Sequence, residues 1–114
     1  MADCIFCKIA AKQIPSKILY EDDKVIAFED INPQAPVHTI LIPKKHIETM
    51  NDCSDTDREL LGHLLLKVPE IAAKKGIKEK GYRLVTNCLE SAGQVVMHIH
   101  FHILGGRGFG WPPG

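Results

Sequence analysis

The sequence predicts an α+β domain: a five-stranded antiparallel sheet covered by one long and one short helix. Three observations lead there. Five short runs rich in β-branched residues are bounded by turn formers, two other segments switch to the helical period, and 114 residues, 45% of them hydrophobic, suffice for one core. A chain this long removes about two-thirds of its unfolded surface from water, so neither disulfides nor a metal is required for folding. Residues 1–114 are therefore read as a single domain, with 105–114 as a Gly/Pro-rich tail.

Taken in order, residues 4–12 carry Ile5, Phe6, Ile9 and Ala10 on one stripe, a short helix that must stop before Pro15. Residues 18–21 and 25–29, joined by the acidic turn Glu21-Asp22-Asp23-Lys24, read as a β-hairpin. The proline-punctuated stretch Asp30 to Pro36 cannot sit in a central strand and reads as a rigid loop, with a strand following over 37–43. From Ser54, a candidate N-cap, Leu60, Leu61, Leu64, Leu65, Val68, Ile71 and Ala72 form one apolar stripe, the long helix. Pro69 predicts a kink or an early end, and Gly76 closes the element. Residues 81–87 and 95–104 give the last two strands, and both helices are expected on one face of the sheet.

Charge narrows the function. Fourteen Lys+Arg against 14 Asp+Glu give no basic excess, which argues against a partner held through nucleic-acid phosphates. The longest apolar runs, such as Leu64-Leu65-Leu66, fall far short of the roughly 20 residues that span a bilayer, so no membrane span is expected. Met1-Ala2-Asp3-Cys4 lacks the basic start and apolar stretch of a secretory signal, and a cytoplasmic location is expected. Cys4, Cys7, Cys53 and Cys88 are then free thiols by default, although Cys4-x-x-Cys7 has the spacing of a zinc pair or a redox pair. Trp111 in the tail suggests a partner surface.

The residues that carry chemistry are His98, His100 and His102, alternating with Ile99, Phe101 and Ile103. In a strand, period two puts all three imidazoles on one face. A single histidine is commonly structural, but three opposite an apolar row are hard to explain by packing. Two chemistries compete: a zinc platform with an open position for water, or an imidazole nucleophile flanked by proton donors for an anionic substrate. The second is favoured, because no carboxylate lies close in sequence to complete a metal site, while glycine and amide-bearing residues precede the strand.

His98-Ile99-His100-Phe101-His102-Ile103-Leu104 resembles the His-φ-His-φ-His-φ-φ signature (φ apolar) of the histidine triad (HIT) superfamily. The likeness runs along nearly the whole chain, through Ile14-Pro15-Ser16-Lys17, Asp30 to His38, Ile42-Pro43-Lys44-Lys45-His46-Ile47, Gly93-Gln94 and Trp111-Pro112-Pro113-Gly114, and is greatest to the HINT branch of nucleotide-binding proteins. That resemblance implies a purine nucleoside phosphoramidase, which splits the P–N bond of adenosine 5′-phosphoramidates, also accepts aminoacyl-adenylates, and releases AMP without a catalytic cofactor. It implies His100 as nucleophile, His102 as donor to phosphate oxygens, His98 as support for the nucleophile's orientation and His38 as completing the polar network. It places Asp30 on the ribose hydroxyls, Phe6, Ile9, Phe28 and Ile31 around the base, and Asn87 and the backbone around Gly93 and Gln94 at the phosphate. Read alone, the apolar four are as readily ordinary core, and Asn87 and Gly93 are common turn residues.

Val95 departs from the family pattern, which often has a polar residue there, commonly Ser, touching the phosphate or the leaving amine. Valine donates no hydrogen bond, so slower turnover or a different leaving-group preference is expected. In some bacterial members a Cys-x-x-Cys pair, the histidine of Pro-Lys-x-His and the first triad histidine hold zinc. Here these are Cys4, Cys7, His46 and His98, with simple buried thiols as the alternative. The resemblance also implies a twofold homodimer with a continuous ten-stranded sheet, in which Trp111 reaches the neighbouring substrate site. Three other functions stay open: a dinucleoside polyphosphate hydrolase using the same histidines, a catalytically weak AMP-binding regulator, and a metal-binding interaction module.

Overall fold

In a computed structural model, which describes residues 3–114, the five strands and two helices form in the expected order. Met1 and Ala2, part of the N-terminal stretch read above for a signal, lie outside the described residues. The elements are α1 (Ile5–Ala10), β1 (Ile18–Glu21), β2 (Val25–Glu29), β3 (Val37–Pro43), α2 (Arg58–Lys74), β4 (Arg83–Val85) and β5 (Phe101–Gly105). The sheet runs β1-β2-β3-β5-β4, every pair antiparallel, so β3 lies at its centre.

Alternation along β2, β3 and β5 divides the molecule into two layers. Val25, Ala27, Leu41, Phe101 and Ile103 face α2 and pack on Leu64, Val68, Ile71 and Ala72. Ile26, Phe28, Ile40 and Ile42 face the other way, onto Phe6 and Ile9 of α1. The helices thus cover opposite faces, not the single face expected, because sheet residues of both parities are apolar and each face needs its own cover. Leu64 is fully buried, and truncating it to alanine would cost about 2–5 kcal/mol.

Ser54 does not begin the long helix. It forms a reciprocal capping box with Asp57 around a 3₁₀ turn at Asp55–Asp57, and α2 starts at Arg58. Nor does Pro69 end it. The carbonyl that a proline deprives of its donor belongs to Leu65, on the half-exposed side of the helix, where water can replace the bond. α2 ends as expected at Gly76, whose φ of 75° lets Ile77 N–H reach the Ala72 carbonyl at 3.0 Å.

The last two strands are shorter than the pattern suggests. Before Phe101 the chain has left the sheet ladder: Ile99 N–H donates to Ile47 O at 2.6 Å, and Gln94 Nε2 donates to both Glu48 O and Val96 O. Gly105, read as tail, is instead the last residue of β5, paired with Val37. The tail beyond is held through Arg83, which donates to Gly110 O at 2.7 Å.

Asp22, in the β1–β2 turn, ties the hairpin to α2. It accepts from Tyr20 Oη and His63 Nε2, both at 2.7 Å, and from two backbone N–H groups. Burial pushes its pKa up, but these hydrogen bonds together outweigh burial and hold it well below the usual carboxylate range.

Candidate active site

The α1 side of the sheet carries the histidines. His38 on β3 and His102 on β5 are diagonal neighbours, since His38 pairs with Leu104 and Ile40 with His102. His100 and His102 follow one another with ring centroids 5.0 Å apart, so alternation survives although His98 and His100 precede the regular strand.

Hydrogen bonds fix which ring nitrogen carries each proton, because a carbonyl can only accept and a backbone N–H can only donate. His100 Nδ1 lies 2.7 Å from His98 O, so Nδ1 is the protonated nitrogen and Nε2 keeps its lone pair. The Gln34 backbone N–H donates to His38 Nδ1 at 3.0 Å, placing the His38 proton on Nε2. That proton is directed to His102 Nδ1 at 2.8 Å, which leaves His102 with an N–H at Nε2. Asp30 Oδ2 stands 3.3 Å from the same His38 nitrogen. The result is one imidazole with a free lone pair beside another with a free N–H.

Burial lowers the pKa of all four of His38, His98, His100 and His102. His102 is brought to about 4, by burial first and then by the neighbouring His100 and His38. At neutral pH the four rings are therefore neutral, the state in which a nucleophilic lone pair exists.

A cleft of about 360 Å³ brings together Asp30, His38, Asn87, Gly93, Val95, His100 and His102. A second hollow of about 200 Å³ opens beside it, lined by Phe6, Ile9, Phe28 and Ile31, and Asp30 stands at the boundary of both. Phe6 also packs edge-on against His100, with centroids 5.0 Å apart. Val95 is 89% exposed at the cleft, an apolar side chain with no packing role.

One expected site residue lies elsewhere. Gln94 is buried with its side chain spent on Leu89 N, Glu48 O and Val96 O, and its own N–H donates to Leu89 O, so it builds the loop instead of facing the cleft. Trp111, expected at a neighbouring chain's site and not at its own, is 85% exposed and lines neither hollow. Two features escaped the sequence reading. One is the Gln34 backbone bond, whose residue type carries no signal. The other is Leu89, held at φ 71° and ψ 179°, a conformation that favours glycine and that Gln94 braces at both the N–H and the carbonyl.

His98 turns away from the cleft. Its Nε2–H donates to Pro43 O at 2.8 Å, and its bare Nδ1 lies 3.3 Å from Cys4 Sγ and 3.5 Å from Cys7 Sγ. Cys7 Sγ is also 3.3 Å from His46 Nδ1, and the four donor atoms all lie within 4.8 Å of one another. A zinc tetrahedron with Zn–S of about 2.3 Å and Zn–N of about 2.0 Å sets sulfur and nitrogen roughly 3.5 Å apart, so the donor set fits. Burial and the neighbouring Cys4 push the Cys7 thiol up to about 11, and a divalent cation would favour its thiolate. Asp30, His38 and His102 also converge, but the ring nitrogens there already share a proton. A metal platform built on all three triad histidines does not form, since His98 and His100 point their nitrogens at different partners.

Comparison with known proteins agrees with this geometry. The HIT domain family matches residues 11–109. An uncharacterized HIT-like protein of Synechocystis is 54% identical over 112 residues, covering 98% of this chain and 97% of that one. The crystal structure of a HIT family hydrolase from Legionella pneumophila superposes with a TM-score of 0.96 at 52% identity, covering 98% of this chain and all of the other. A HIT family hydrolase from Clostridium thermocellum gives 0.94 at 46% identity, covering 96% of each chain. With the histidine signature, the sheet and the cleft all in agreement, the chain belongs to the HIT domain family.

Proposed function

We propose that this protein is a purine nucleotide-binding hydrolase that cleaves the P–N bond of adenosine 5′-phosphoramidates, and of related aminoacyl-adenylates at their P–O bond, through a nucleotidyl-His100 intermediate. The observation that carries the reading is the His100 tautomer: with Nδ1–H held by His98 O, the lone pair of Nε2 is free to attack. In the first step on a phosphoramidate, Nε2 attacks the α-phosphorus, the P–N bond breaks, and the amine leaves with a proton taken from the cleft. In the second, water attacks the phosphorus and gives up a proton, the Nε2–P bond breaks, and AMP departs from a regenerated His100. His102 Nε2–H donates to the phosphoryl oxygens as their charge builds.

The apolar hollow beside the cleft suits a planar base, and Asp30, at the junction, suits the ribose hydroxyls between base and phosphate. Asn87 and Gly93 line the phosphate end. The similar proteins of Legionella pneumophila and Clostridium thermocellum are HIT family hydrolases, which supports the reaction class.

Zinc belongs to this reading as a structural ion on Cys4, Cys7, His46 and His98, where four protein ligands leave no open position and the ion's contribution is to stability. Catalysis is assigned to the imidazoles. A homodimer belongs to it as well: Trp111 lies outside its own cleft, and β4 is an edge strand to which a second copy can add.

The experiment is AMP release from an adenosine phosphoramidate, for the unaltered chain and His100→Ala, each with and without chelator. Chelator-resistant release that disappears with His100 supports the reading. Equal release from both proteins overturns it, and AMP binding without release from either favours the regulator.

A further inference from the structure

Asp30 touches more than the place where a ribose would lie. Its Oδ1 accepts the Asn32 backbone N–H at 2.7 Å, and its backbone N–H donates to His38 O at 3.0 Å, so side chain and main chain are each anchored once. The remaining oxygen, Oδ2, is turned to His38 Nε2 at 3.3 Å, the nitrogen whose proton also serves His102 Nδ1 at 2.8 Å. Gln34 holds the opposite edge of the same ring. His38 is thus gripped on one side by a backbone donor and on the other by a carboxylate.

We infer that Asp30 is a positioning residue for the His38–His102 pair, acting through His38 and independently of any bond it makes to ribose. The inference rests on the hydrolase reading above and deepens it. A fixed negative charge beside His38 Nε2 keeps that ring turned toward His102, which keeps His102 Nε2–H aimed into the cleft. The same charge favours positive charge on the pair as the phosphoryl oxygens gain electrons. Asp30 acts in this sense on His38, His100 and His102 alike, against the burial that lowers all three. One carboxylate would then report that a nucleoside has docked and support the group that meets its phosphate.

The test separates the two roles by removing the ribose hydroxyls. kcat/KM is measured for adenosine 5′-phosphoramidate and its 2′,3′-dideoxy counterpart, with the unaltered protein and Asp30→Asn. The inference predicts that Asp30→Asn still loses about tenfold on the dideoxy substrate, the scale of a lost charged hydrogen-bond partner. Equal values for the two proteins on that substrate would overturn it. A second readout needs no turnover: ¹⁵N-monitored titration of the ligand-free protein, with Glu29 and His100, the other groups acting on the pair, unchanged. Asp30→Asn is expected to lower the protonation midpoints of His38 and His102, and unmoved midpoints contradict the inference. Should the unaltered protein release no AMP from either substrate, the hydrolase reading fails while the titration still decides the Asp30–His38 relationship.

Discussion

His100 Nδ1–H donates to the carbonyl oxygen of His98, two residues earlier, at 2.7 Å. Through that bond the residue that fixes the His100 tautomer is the same one whose imidazole points into the cysteine cluster. The two sites are therefore built on one short segment, and each can be perturbed to ask what it does.

Stability should fall on mild acidification. His102 has its pKa lowered from 6.5 to about 4 by burial, so between these values the unfolded chain takes up the proton first. Its contribution is intact above about pH 6.5, falls progressively toward pH 4 and is constant below. His38 and His100 are shifted in the same direction and add to the slope. Asp22 acts lower, because its depressed folded pKa costs stability only once pH drops below the unfolded value of 3.8. Urea midpoints at pH 7.5, 6.0 and 4.5 check this. A decline that is shallower in His102→Asn is expected, and a flat profile would refute the assignment of neutral buried rings.

Val95→Ser should raise the rate of AMP release. The position lines the cleft and is almost fully exposed, so a hydroxyl can be introduced without disturbing packing. One added hydrogen bond to phosphate or leaving amine is worth about 1 kcal/mol, roughly fivefold in rate. An unchanged or lower kcat would sink the idea.

The cysteine cluster should bind one zinc ion per chain. Protein purified without chelator is expected to contain zinc, and Cys7→Ser to lose both the metal and several degrees of thermal midpoint, since a closed site couples binding to folding. Metal-free protein with four titratable thiols and the same midpoint as Cys7→Ser would exclude the site.

Leu89→Gly should stabilise the protein. The backbone at φ 71° and ψ 179° costs leucine about 1–3 kcal/mol, more than the extra unfolded-state entropy of glycine. A higher urea midpoint at unchanged slope is the expected result, and a lower one would show that the exposed Leu89 side chain makes a contact worth more than the strain.

Much of this was legible in the chain. Alternation of His98, His100 and His102 with Ile99, Phe101 and Ile103 survives as two faces of one segment, because side-chain period depends on local backbone extension and not on a partner strand. For the same reason the strand boundary was not legible: only the tertiary bonds from Ile47 and Gln94 show that the ladder begins at Phe101. The early end that Pro69 allows does not occur, because the cost of that proline depends on whether the orphaned carbonyl can reach water, which sequence does not state. The resemblance puts the Gln94 backbone at the phosphate, whereas its N–H is spent on the Leu89 carbonyl and its side-chain oxygen on the Leu89 N–H, bracing a strain no residue type announces. The Cys4, Cys7, His46 and His98 set converged as the resemblance implied, although its members span 94 positions.

The most direct test of the central claim is the mass of the intact chain, quenched in base within seconds of mixing with excess adenosine phosphoramidate. An adduct of one adenylyl group, located on His100 by fragmentation and absent in His100→Ala, is the predicted result. Steady AMP release with no adduct at any time, or an adduct that persists in His100→Ala, would contradict it.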